Sequence, residues 1–190
     1  MSTTMSREER VSTVFQTLEQ ARNVEAIIGL TTQLDSALEA AHIAQFHGAD
    51  EETILAALLQ DIGRYCPRPD NWEDRVNNPD AYSAVDDYEP GADYLRKFGF
   101  PKKTCELIES DMMAKCYIVA THPTLLGKFP ETTSIWAVSL SPERMSELEK
   151  DPLFQQKVRI KMYKIRTWTN GSTPPRLDAY RDMAIRNMPI

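Results

Sequence analysis

The stretch that most limits what this chain can fold into runs from Leu34 to Tyr65, LDSALEAAHIAQFHGADEETILAALLQDIGRY. It reads as two helices joined by a tight turn: Gly48 stops the first and Asp50 caps the second. Ala37, Ala40, Ala41 and Ala44 let neighbouring helices approach the first one closely. The second carries Leu55, Leu58, Leu59 and Ile62 beside Asp61, so a carboxylate is delivered into apolar company at its end. Leaving that charge buried and alone costs several kcal/mol, on the order of the stability of a small domain. Asp61 therefore has to be paired, protonated, hydrogen-bonded or bound to metal.

Helical periodicity dominates the rest of the chain. Val11, Val14, Phe15 and Leu18 share one face of a helix over 7–23, and Thr31-Thr32 precede a helix that starts near Gln33. Residues 63–87 are rich in Pro, Asn and Asp and read as a long loop. Glu89–Phe98 is a short helix closed by Gly99, and Pro101 opens another that runs to about Thr121. Ser141-Pro142-Glu143 is a helix start, a basic helix spans Pro152–Trp168, and a last helix covers Arg176–Asn187. No segment alternates as a strand does. The expected class is all-α, a single domain over 1–190.

Composition narrows the function. The net charge of −6 is spread along the chain, which argues against nucleic acid or an anionic membrane as the main partner. Small organic molecules remain. The three cysteines, Cys66, Cys105 and Cys116, form no C-x-x-C and suggest neither a disulfide framework nor a zinc site. With no signal-peptide core and no membrane-spanning segment, a cytoplasmic protein is expected, and a homo-oligomer is compatible with the chain.

The phrase A-A-L-L-Q-D-I-G-R-Y-C resembles the A-A-L-L-H-D core of HD-domain proteins, with Gln60 where the motif histidine falls. Further landmarks recur in the same order: Q-L-D-S at Gln33, F-H-G-A-D around Gly48, G-A-D-Y-L at Gly91, L-I-E-S-D at Leu107, A-K-C-Y at Ala114 and I-R-T-W at Ile165. Together they resemble the HD-domain mixed-valent di-iron oxygenases that act on aminohydroxyethylphosphonate. The likeness covers roughly residues 8–188 and implies an HD-like helical bundle.

In that family four histidines and two aspartates hold two irons, a donor set suited to oxygen chemistry. Carried onto this chain, the positions are Ser36, Gln60, Asp61, Asp87, Asp111 and Thr169, and Asp61 alone keeps its residue type. Asp86 is an alternative to Asp87. A carboxamide is a poor metal ligand where an imidazole is a good one. The expectation is therefore no metal and no cofactor, although Asp61, Asp87 and Asp111 would also suit a hard cation. His42, His47 and His122 fall elsewhere and read as structural or surface residues. Lys115 and Arg166 match the basic residues with which the family holds its phosphonate. They read equally as a substrate clamp or as structural ion pairs, Lys115 with Asp111 and Arg166 with Asp61. Trp136 would make the site bulkier and more apolar, or serve as plain core.

Two functions compete on this reading. In the first, a metal-free enzyme of secondary metabolism carries out an isomerisation, cyclisation or cycloaddition, in the manner of a pericyclase, by confinement and a few hydrogen bonds. Asp61, Asp87, Asp111 and Gln60 would be its catalytic groups, and Lys115, Arg166, Ser36, Trp136 and Thr169 would hold a substrate carrying a carboxylate or other anionic group. In the second, the chain is an inactive HD pseudoenzyme that binds a ligand or partner. An oxygenase or phosphohydrolase with a rearranged metal site is a third.

Overall fold

The computed structural model describes residues 5–27, 31–67, 88–109, 111–128, 140–166 and 173–189, and of Ala26, Ile27, Tyr88, Glu89, Asp111, Met112 and 126–128 the backbone alone. The class is all-α. Among the described residues the helices are α1 (Arg7–Glu19), α2 (Gln33–Phe46), α3 (Glu51–Leu59), α4 (Tyr88–Lys97), α5 (Lys102–Glu109), α6 (Asp111–Thr121), α7 (Pro142–Leu148), α8 (Phe154–Arg166) and α9 (Arg181–Asn187). One short antiparallel ribbon interrupts them, β1 (Glu25–Ile27) against β2 (Thr31–Thr32), where the sequence pattern predicts no strand. Two or three residues per strand are too few for alternation to register.

Local chemistry fixes the helix ends. Ser6 and Glu9 form a reciprocal capping box on α1, and Thr32 and Asp35 form another on α2. The Asp50 carboxylate accepts from the Thr53 N–H at 3.1 Å, and Ser141 Oγ accepts from the Arg144 N–H at 3.2 Å. Gly48, with φ of 71°, turns the chain between α2 and α3, a conformation open to glycine without a side-chain penalty. The helix expected from Pro101 to Thr121 is seen as α5 over Lys102–Glu109 and α6 over Asp111–Thr121, with Ser110 outside the described residues.

One core joins most of these elements. Leu34, Leu55, Leu58, Leu59, Ile62, Leu95, Leu107, Ile108 and Ile160 are fully buried in it. At about 25 cal/mol per Å² of apolar surface, such burial is the main force holding the bundle. α2 packs along α3, α8 lies across α2, α3 and α6, and α9 closes the far side against α1 and α3. Past α3 the chain makes a single 3-10 turn, Ile62–Arg64, against which α4 is seated. Gly91 makes that seat: a Cβ there would lie 2.9 Å from the Gly63 nitrogen and 3.1 Å from Ile62 Cγ2. The effect is to clamp the turn that carries Asp61.

Candidate functional site

α3 ends at Leu59, one turn earlier than the apolar pattern suggests, so Gln60 and Asp61 stand at the helix exit. Both are buried, at 0% and 3% exposure. Facing them is α8. Its residues Lys157, Lys161 and Lys164 are spaced four and three apart and share one stripe of the helix. Lys157 and Lys161 are 8% and 2% exposed, and the Lys164 side chain is 19% exposed.

Two contacts join the two elements. Lys161 Nζ donates to Gln60 Oε1 at 3.1 Å, and Lys164 Nζ forms an ion pair with Asp61 Oδ2. Gln60 is committed at its other end too, because its Nε2 donates to the Ala57 carbonyl at 2.9 Å. The two positions of the sequence motif are thus each met by a lysine. Farther along the stripe Lys157 pairs with Asp151 at 2.7 Å. Desolvation works to lower the Lys164 amine, and the Asp61 carboxylate beside it favours the charged form.

α2 adds polar groups one turn apart, Ser36 and Glu39, at 1% and 8% exposure, on the helix that packs against both α3 and α8. Ser36 was picked out in the sequence. Glu39 and the lysines of α8 were not, although the i, i+4, i+7 spacing of Lys157, Lys161 and Lys164 was there to be read. Three long cations on one stripe of a helix that must also bury Phe154, Ile160 and Tyr163 cannot all face water.

Arg166 lies elsewhere. It is exposed at the end of α8, its Nη1 3.1 Å from His47 Nε2, and His47 in turn stacks on Tyr163 with ring centroids 5.8 Å apart. Lys164 pairs with Asp61, the place that one of the two sequence readings of Arg166 gave to that arginine. A lysine two residues earlier wins because α8 turns its 157, 161, 164 stripe inward and carries position 166 round to the surface. Lys115 is half-buried on α6, the helix beside α8. Asp87, Trp136 and Thr169 lie outside the described residues, as does the side chain of Asp111. The cysteines are buried, and burial pushes the Cys105 thiol up to about 11, which makes it a poor nucleophile at neutral pH.

Two irons need open imidazole and carboxylate donors. Here Gln60 offers a carboxamide already bonded at both ends, and Asp61 faces an ammonium. Among the described residues no three His, Cys, Asp or Glu side chains converge as metal ligands do. The described side chains do not fit a di-iron centre.

The chain is 30% identical over 140 residues to [1-hydroxy-2-(trimethylamino)ethyl]phosphonate dioxygenase (glycine-betaine-forming) of Leisingera caerulea. It is similar to a phosphonate dioxygenase. The match covers 68% of this chain but 65% of that enzyme, so the chain spans just under two thirds of its relative. It is also 28% identical over 185 residues to the uncharacterized protein L432 of Acanthamoeba polyphaga mimivirus, across 93% of this chain and 81% of the viral one. No family model matches the sequence. The likeness to the dioxygenase agrees with the family that the motifs resembled.

Proposed function

We propose that this chain is a metal-independent enzyme on a scaffold related to the phosphonate dioxygenase, acting on a small organic substrate that carries a carbonyl, carboxylate or other anionic group. The reaction class is an isomerisation, cyclisation or cycloaddition, which needs no electron acceptor. The observation that carries the reading is the pairing of both motif positions with lysines, the buried Lys161 on Gln60 and the partly buried Lys164 on Asp61. Ammonium groups fixed in a site of low dielectric stabilise negative charge that develops on a substrate oxygen, and they do not have to reorganise as the reaction proceeds. Asp61 and Gln60 position them. Ser36 and Glu39 add polar groups from α2, while Asp87 and Asp111 keep the catalytic roles, and Lys115, Trp136 and Thr169 the substrate-holding roles, assigned from the sequence. Confinement supplies the rest of the rate.

The second reading is a pseudoenzyme that holds a ligand or a partner without turnover. It is favoured by the way Gln60 is satisfied at both ends from within the protein, which leaves that side chain little to offer a substrate.

The test is chemical. A metabolite that accumulates when the gene is deleted is incubated with purified protein in chelator. Turnover that falls in Asp61→Asn and in Lys161→Met supports the enzyme, and binding without turnover supports the pseudoenzyme. Iron-dependent oxygen uptake with the phosphonate of the relative would replace both.

A further inference from the structure

We infer that Lys161 and Lys164 of α8 are built-in cations that take over the structural work of metal ions in this bundle, tying α8 to the exit of α3 and balancing the buried Asp61. The inference draws on the same contacts as the proposed function but does not require turnover.

A metal held between helices does two things besides chemistry. It neutralises the carboxylates that ligate it, and it cross-links the elements that supply them, so its binding free energy becomes folding free energy. Both duties are discharged here by side chains. The Asp61 carboxylate, 3% exposed, has its positive charge in Lys164. The cross-link is long-range in sequence, because Gln60 and Lys161 are 101 residues apart and meet at 3.1 Å. The two pairs run in parallel between consecutive residues of the α3 exit and residues three apart on α8, so a shift or rotation of α8 along α3 breaks both at once. Gln60 takes part in its own way: its carboxamide oxygen accepts from Lys161 while its NH₂ group donates to the Ala57 carbonyl. Glutamine at this position and lysine at 161 are complementary, as are Asp61 and Lys164. Seen this way the missing histidine at position 60 is one half of an exchange whose other half sits on α8.

The experiment is a thermal melt of the full chain and its variants in EDTA and in Mn²⁺, with a double-mutant cycle on the 61–164 pair. The wild type is expected to melt at the same temperature in both, and Lys164→Met to melt roughly 10 °C lower in EDTA, the penalty of leaving a buried carboxylate without its cation. The double variant Asp61→Asn with Lys164→Met should regain a large part of that loss, since neither charge is then left behind. Should Lys164→Met fail to fold, the folding of the double variant gives the same answer. In Gln60→His with Lys161→Met and Lys164→Met, Mn²⁺ should raise the melting temperature, because Asp61 is again accompanied by a metal-binding side chain. A wild type whose melting temperature drops on chelation would overturn the inference. So would losses from the two single variants at 61 and 164 that merely add in the double.

Discussion

Lys161 Nζ and Gln60 Oε1 meet at 3.1 Å across the packed faces of α8 and α3, both residues at or below 2% exposure. An ammonium in such a place is stabilised only by the acceptors that the protein builds around it, because water is not there to help. The consequence is a narrow choice at position 60. Gln60→Leu keeps the volume and removes the acceptor, and should cost about 1.5–3 kcal/mol, the usual worth of a hydrogen bond to a charged group. Gln60→Glu loses the Nε2 donor to the Ala57 carbonyl but keeps an oxygen opposite in charge to Lys161, and should cost less than Gln60→Leu, which loses both. Urea denaturation of the two variants measures the difference, and an equal loss in both would show that Lys161 does not depend on this oxygen.

Arg166→Ala should behave quite differently from substitutions at Lys161. Arg166 is exposed and touches His47 at the surface. Its loss should change stability by less than about 1 kcal/mol, as exposed polar contacts do. If Arg166→Ala instead abolishes ligand binding with stability intact, the clamp role assigned from the sequence stands despite the outward position.

Gly91→Ala tests the seat of α4. The added methyl would meet the Gly63 nitrogen at 2.9 Å, and backbone cannot swing aside as a side chain can. A loss of about 1–3 kcal/mol is expected from overpacking of this kind. It should be accompanied by faster hydrogen exchange at the Ile62–Arg64 turn, measured by mass spectrometry. Unchanged exchange there would mean that α4 does not hold the turn.

Acid should loosen the N-terminal end of α3. Partial burial works to raise the Asp50 carboxyl, but the Lys103 ammonium at 2.8 Å and two hydrogen bonds from Thr53 outweigh it and hold the group below the usual carboxylate range. Glu51 is lowered too, by the Arg186 guanidinium and by Asn187. For a group whose folded pKa is depressed, the stabilisation is fully present above the unfolded value, about 4, and is lost as pH falls through the lower folded value. The wild type should lose stability as pH drops below about 4, and Asp50→Asn should flatten that slope. A steeper slope in Asp50→Asn would contradict the assignment.

The frame of the molecule was legible because it is written locally. Thr32, Asp50 and Ser141 announce helix starts through one side-chain oxygen each, and Gly48 and Gly99 announce stops. Asp61 was legible as a carboxylate in apolar company and Ser36 only through its place in the family resemblance, and both are buried. The partners were not legible, for a physical reason. Lysine stems are long and apolar enough to cross a core, so a lysine on an amphipathic helix reads as solvated until the helix facing it is known. That is why α8 looked merely basic, and why Arg166, two residues from Lys164, drew the attention that belonged to its neighbour. The ribbon of β1 and β2 was missed because its strands are shorter than a pattern can be. Glu39 was missed because a single glutamate among alanines on α2 looks like its exposed edge.

The most direct measurement is the metal content of the full chain, expressed in medium replete with iron and manganese and purified without chelator, determined by inductively coupled plasma mass spectrometry. With lysines filling the places opposite Gln60 and Asp61, far less than one transition-metal ion per chain is expected. One or two ions of iron or manganese per chain would contradict the account at its centre.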